Sequence, residues 1–286
     1  MIIGKKNIGV LLGKWLVRIF LIAVAVITLF PVVWNVYSSF KTNQEYMDFF
    51  GNPLSLPKGL EFENYVRAWT TASIGENFFN SVGAVAVLLA VVFVCVVPCS
   101  YVLARYVFPG SKVILNTFMV SIFIKATYII IPLFLLMHGL GLTNNTSAYA
   151  ALYAVTQFPF SVFLMVGYMR SIPRAFEEAA MIDGCGNFRV LTQIIYPMAK
   201  PGIFTVLMLS GMAIWNDYPV AMILLTEPET MTLPVGLAAL NIRAGMYSDY
   251  VGLLAALVIV LLPIILFYAL GQRYLIQGVS AGGIKG

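Results

Sequence analysis

Groups able to do chemistry are few in this chain, and they are scattered. Lys125 and Asp217 each fall within a long apolar run, and Asp217 stands in the sequence Trp215-Asn216-Asp217-Tyr218. An aromatic ring beside amide and carboxylate groups suits a sugar passage, because ring faces stack on C–H surfaces while polar groups pair with hydroxyls. A second reading pairs Lys125 and Asp217 with each other or with another chain, where they would fix helix packing. Charges at bilayer depth seek partners whether or not a solute passes. His138 is the single histidine and has no cysteine, histidine or carboxylate at metal spacing, so no metal centre is expected. Cys95, Cys99 and Cys185 form no disulfide framework and read as small buried side chains. Gly9-Val10-Leu11-Leu12-Gly13-Lys14-Trp15 imitates a phosphate-binding loop but is one residue short and lacks the hydroxyl after the lysine. A membrane-embedded enzyme would cluster histidines and carboxylates near one leaflet, and only isolated groups occur.

One stretch concentrates polar character, Glu177 to Pro197, EEAAMIDGCGNFRVLTQIIYP. Pro173 suits the first turn of a helix, where its missing N–H costs nothing, and Gly184 can take the left-handed geometry that ends one. That predicts a helix over Pro173–Asp183, about 16 Å long at 1.5 Å per residue. Asn187 is expected to cap a second short helix running to Ile195, with Pro197 stopping it. Two small helices joined at glycines make a knob. Ala179 and Ala180 give it a smooth surface flanked by Arg174, Glu177 and Glu178, shaped for a cleft in another protein. A helix lying flat on lipid would carry lysine and arginine on its polar face, not carboxylates at its centre.

These residues are positioned by a chain made for lipid. Of 286 residues, 60% are hydrophobic and 10% charged, against roughly 25% charged in soluble domains. Six apolar runs reach the roughly 20 residues needed to span a bilayer: Trp15–Tyr37, Phe78–Val102, Val113–Met137, Ala148–Met169, Gly202–Leu225 and Val251–Leu270. Nothing alternates as the strands of a membrane β-barrel would. The first run is too long for a cleaved secretory signal and lacks a small-residue cleavage pattern before Pro31. An all-α membrane protein with six transmembrane helices follows, without internal repeats or a second soluble domain. An ion-coupled secondary carrier is the alternative, but such carriers usually have more spans, paired repeats and broken helices.

With the N-terminus in the cytoplasm, the inner segments hold Lys5, Lys6, Lys14, Arg18, Arg105, Lys112, Arg170, Arg174, Arg189, Lys200, Arg273 and Lys285, and the outer ones only Lys41, Lys58, Arg67 and Arg243. This satisfies the positive-inside rule and places both termini and the knob in the cytoplasm. Anchoring against an anionic leaflet explains the net positive charge, so no nucleic-acid partner is expected. Ser38–Asn77 and Thr226–Tyr250 become external loops.

Glu178-Ala179-Ala180, three residues, Gly184, nine residues, then Ile194-Ile195-Tyr196-Pro197 resembles the EAA loop, E-A-A-x3-G-x9-I-x-L-P, of permease subunits in binding-protein-dependent ABC importers. Tyr196 replaces the family's leucine and keeps an apolar body. Asn80-Ser81, Trp215-Asn216-Asp217 and the tail from Gln272-Arg273-Tyr274 to Gly286 resemble the carbohydrate-uptake, maltose-permease-like branch. The resemblance implies a type I ABC importer permease fold with short cytoplasmic coupling helices. It divides the chain into residues 1–77 (first span and external loop), a five-helix core over 78–272 with the EAA loop at 170–200, and a cytoplasmic tail over 273–286. It implies a bacterial or archaeal cytoplasmic membrane, a second homologous permease, two ABC ATPase subunits, an extracytoplasmic solute-binding protein, and a sugar or other small solute. ATP and magnesium would reside on the ATPases, with no cofactor on this chain. The ATPase would meet Glu177, Glu178, Ala179, Ala180, Asp183, Gly184, Ile194 and Pro197, and the tail would reach it through Gly282, Gly283 and Lys285. Lys125, Trp215, Asn216, Asp217 and Tyr218 are the pathway candidates.

Overall fold

The computed structural model describes residues 4–48, 54–247 and 249–282, and their side chains except those of 4–12, 247, 270 and 273–282. Among the described residues the ordered elements are all helical. In order they are α1 (Gly4–Ser38), α2 (Asn43–Met47), α3 (Glu63–Thr70), α4 (Ile74–Arg105), α5 (Ser111–Ser121), α6 (Ile130–Gly139), α7 (Thr146–Ser171), α8 (Ala175–Ile182), α9 (Asn187–Arg189), α10 (Tyr196–Trp215), α11 (Pro219–Leu224), α12 (Leu233–Tyr247) and α13 (Tyr250–Gly282).

Five segments are continuous helices long and apolar enough to span: Gly13–Ser38, Ile74–Arg105, Thr146–Ser171, Asn187–Trp215 and Tyr250–Ala269. The sixth expected span is broken. Ser111–Ser121 and Ala126–Gly139 meet at 88°, with Lys125 in extended backbone at the break. The break replaces the unbroken run expected over Val113–Met137. Apolar composition reports on lipid, not on whether backbone hydrogen bonds continue.

The chain divides into two compact units, residues 1–72 with 240–259, and residues 73–239 with 260–286. In the first, the side chains of residues 13–31 are exposed throughout, as lipid-facing residues should be. The segment beyond α1 is anchored by buried Asn64, whose Nδ2 donates to Ser39 O (2.8 Å) and Lys41 O (2.9 Å). Thr42 and Glu45 form a capping box that starts α2. Asn43 Nδ2 donates to Asp249 Oδ1 at 3.0 Å, and Arg67 meets the same carboxylate at 3.6 Å. Lys41 is buried, which lowers its ammonium pKa below the usual lysine value, while Glu45 opposes that shift.

In the second unit, α4, α7 and α10 pack on one another. Leu88, Val92 and Val96 from α4, Val162, Met165 and Met169 from α7, and Ala199 and Val206 from α10 are all buried there. Lipid tails are as apolar as these side chains, so close fit and hydrogen bonds between helices hold them together. The buried Ser161–Ser210 hydroxyl pair at 3.2 Å joins α7 to α10. At one end of α4, Asn80 Nδ2 donates to Glu229 O and Met231 O (2.7 and 3.0 Å), while Ser81 Oγ accepts from Leu233 N at 2.8 Å. The Asn80-Ser81 pair therefore clamps the segment entering α12. That helix lies in the external loop expected at Thr226–Tyr250, which contains Pro234 and Gly236. Pro234 occupies the first turn, where proline is tolerated. A Cβ on Gly236 would lie 1.8 Å from Asn77 Nδ2, so only glycine allows this approach.

Candidate functional site

α8 begins after Arg174 and ends at Ile182, within the expected Pro173–Asp183. Its C-terminus closes as a Schellman motif. Cys185 N donates to Ala180 O (3.0 Å) and Gly184 N to Met181 O (3.1 Å), with Gly184 at φ +82°. The next helix differs from expectation. Gly186, not Asn187, is the N-cap residue, and Pro197 does not stop the helix. A π turn over Val190–Ile195 leads directly into α10, whose first turn holds Pro197. Widening the turn accommodates the missing N–H and the ring's clash with the preceding carbonyl. Tyr196, the departure from the family pattern, packs edge-on against Phe93 at 5.7 Å.

The two glutamates of the knob part ways. Glu178 is exposed, whereas Glu177 is 7% exposed and turned inward. Its Oε1 lies 2.5 Å from Arg105 Nε, an ion contact lacking hydrogen-bond alignment, and its Oε2 accepts from Tyr101 O–H at 3.3 Å. Arg105 is the last residue of α4 and also donates through Nη2 to Ile172 O, at the end of α7, at 2.8 Å. A guanidinium at two helix C-termini is favoured by the local dipoles. Its five fixed donors suit it to hold several acceptors at once. Arg105 thus ties the base of α8 to the ends of α4 and α7.

The rest of the knob faces outward. Ala179, Asp183 and Gly184 are exposed, Ala180 is buried, Ile194 is half-buried and Pro197 exposed. Sequence reasoning passed over the large apolar side chains of this surface: Phe176, Met181, Ile182 (87% exposed) and Phe188. Their signal was present in part, since Glu177 and Ala180 mark the inward side at helical spacing, which leaves Ile182 on the opposite side and Phe176 and Met181 on the flanks.

At the far end of α10, Asp217 is buried and hydrogen-bonded. Its Oδ2 accepts from Tyr149 O–H (2.9 Å) and from Ala221 N (3.0 Å), the latter within the first turn of α11. Among the described residues it makes no ion pair with Lys125, which is exposed. Trp215 is 4% exposed, stacks edge-on with Phe78 at 5.8 Å, and its indole N–H has no hydrogen-bond partner. It lines an apolar cavity of about 160 Å³ with Leu89, Met208 and Phe267. Asn216 and Tyr218 are exposed. Gly282 is the last residue of α13, which continues as helix past the expected start of the tail at 273, while Gly283 and Lys285 lie outside the described residues.

A helical membrane unit with a short-helix knob locked to its spans defines a class. Residues 96–281 match the family described as binding-protein-dependent transport system inner membrane component, and the chain belongs to it: a multi-pass inner-membrane permease of the ABC transporter class. Among its relatives, a diacetylchitobiose uptake system permease protein of Streptomyces coelicolor is 36% identical over 93% of this chain and 87% of its own. An arabinooligosaccharides transport system permease protein of Halalkalibacterium halodurans is 31% identical over 96% of this chain and 97% of its own. A chain from the crystal structure of a bacterial ABC transporter importing the acidic polysaccharide alginate superposes with TM-score 0.79 at 24% identity, covering 96% of this chain and 99% of that one, a likeness in fold.

Proposed function

We propose that this chain is one of two permeases in an ATP-driven importer of a sugar or oligosaccharide, forming half of the passage and doing no chemistry itself. Two ABC ATPases, carrying nucleotide and magnesium, would drive it, and an extracytoplasmic binding protein would deliver solute. The observation carrying this reading is the division of α8 into an inward face locked by Glu177–Arg105 and an outward face of Phe176, Met181 and Ile182 beside Glu178. An apolar patch on a loop outside the spans marks a protein contact, and the ion pair behind it passes displacement to α4 rather than letting α8 slide.

α4 has 32 residues, about 48 Å at 1.5 Å per residue, of which the stretch from Arg105 to the Ser81 clamp on Leu233 covers about 36 Å. Closure of the ATPase pair would move α8, and α4 would carry that motion across the membrane, biasing a two-state gate. In this reading Asn216, Tyr218 and Lys125 face solute, Trp215 and Asp217 hold the turn that presents them, and the tail from Gly282 through Gly283 and Lys285 touches the ATPases. The sugar class rests on the uptake-system relatives and on the Trp215-Asn216-Asp217 segment.

The test has two parts. An impermeant maleimide should label Ile182→Cys, in a background lacking the native cysteines, only in inverted membrane vesicles; labelling from outside the cell reverses the orientation. Ile182→Asp should abolish copurification of an ATP-hydrolysing subunit and uptake of labelled oligosaccharide while the chain still inserts. Retained copurification excludes this docking surface.

A further inference from the structure

Where α4 and α7 end and α5 begins, a cavity of about 460 Å³ opens beside the base of α8. Arg105, Lys112, Arg170, Arg174, Ser111 and Ser171 contribute its polar lining, and no carboxylate lines it. Arg105 is neutralised by Glu177. The other three cations are exposed, and among the described residues none of them has an ion pair. Arg174 makes only a 3.4 Å contact to Arg105 O. The 11-residue helix α5 starts at this cavity behind Gly110 with no side chain capping its N–H groups, adding partial positive charge at the same wall. Three cations without ion pairs, the Ser111 hydroxyl and a helix start converge on one space, while the Ser171 hydroxyl donates to Tyr168 O at 2.7 Å, and the chemistry they fit is a phosphate group.

The same cavity has an apolar side. Val107, 93% exposed, and Tyr106 line it, and Val113 and Ile114 on α5 are exposed next to them. A phosphate bearing acyl chains satisfies both sides, and a basic pocket between the ends of spans on the cytoplasmic side is where anionic headgroups bind. We propose that this cavity holds the phosphate of an anionic phospholipid from the inner leaflet, its chains lying over Val107 and α5. The bound lipid bridges Lys112 on α5 to Arg170 and Arg174 at the α7–α8 link, and so braces the base of the coupling helix. This rests on the proposed orientation of the knob.

The assembled transporter is reconstituted in phosphatidylcholine nanodiscs with and without phosphatidylglycerol, and the lipid retained is counted by native mass spectrometry alongside the melting temperature. Phosphatidylglycerol is expected to raise the melting temperature of the parent complex, and Lys112→Gln with Arg170→Gln to lose that rise and retain the lipid on the order of tenfold less. Lys112→Arg with Arg170→Lys should restore both. Equal retention by the glutamine variant overturns the proposal. So does an equal rise from inorganic phosphate in phosphatidylcholine alone, which would assign the cavity to free phosphate. A rise seen only after the ATPases are stripped away also overturns it, since the cavity would then be an ATPase contact. Both nanodisc leaflets have one composition, so a reversed orientation leaves these outcomes unchanged and is decided by the maleimide labelling.

Discussion

Two buried carboxylates, Glu177 and Asp217, mark opposite styles of connection in one unit of this permease. Glu177 meets a guanidinium, and its partners Arg105 and Tyr101 both come from α4, a separate span. Asp217 meets only neutral donors, the Tyr149 hydroxyl and the Ala221 amide, and the second of these lies four residues away. The first joins two elements through opposite charges. The second fixes a turn. A paired charge out of water is held by its partner, because separation would leave an uncompensated ion in a poor solvent. A capped carboxylate loses less when one donor goes, since the other remains.

That contrast predicts an order of effects. Arg105→Ala, leaving Glu177 buried without its cation, should cost about 3–5 kcal/mol, read as a large fall in melting temperature and loss of ATP-coupled uptake. The exchange Arg105→Glu with Glu177→Arg should recover part of both, and no recovery would mean that the pair's surroundings, not the pair, set the link. Asp217→Ala removes the α11 cap and leaves the Tyr149 hydroxyl unpaired, for about 2 kcal/mol. Tyr149→Phe should cost about 1 kcal/mol, and a larger loss than that for Asp217→Ala would reverse the ranking of the two partners. Gly184→Ala, forced to φ +82°, should cost about 1 kcal/mol and weaken ATPase copurification by misaiming α8. Ile182→Asp comes last in stability, within about 0.5 kcal/mol because its side chain is exposed, yet should abolish copurification. That separation of stability from assembly sharpens the difference between the two faces of α8.

The spans were legible because a bilayer of fixed thickness demands apolar runs of fixed length, whatever they pack against. The end of α8 was legible at Gly184 because a left-handed residue is a local requirement, and the EAA spacing singled out the loop around it. Less was legible where the deciding partner is distant in sequence. Pro197 is expected to stop a helix, yet a π turn absorbs it, and Pro234 lies in a stretch expected as loop, yet a helix start accepts it. The run over Val113–Met137 has the composition of a span and breaks by 88° at Lys125.

By itself, the sequence determined the solvent of this protein, the places of its apolar segments and the loop that carries the knob, since composition, length and local backbone preference act residue by residue. Only the tertiary structure decided which of two adjacent glutamates turns inward, that Asp217 caps a helix instead of pairing with Lys125, and that three cations share one cavity. Those outcomes depend on Arg105, Tyr149 and Lys112 arriving from other helices, and nothing in the local sequence fixes where a distant helix will end.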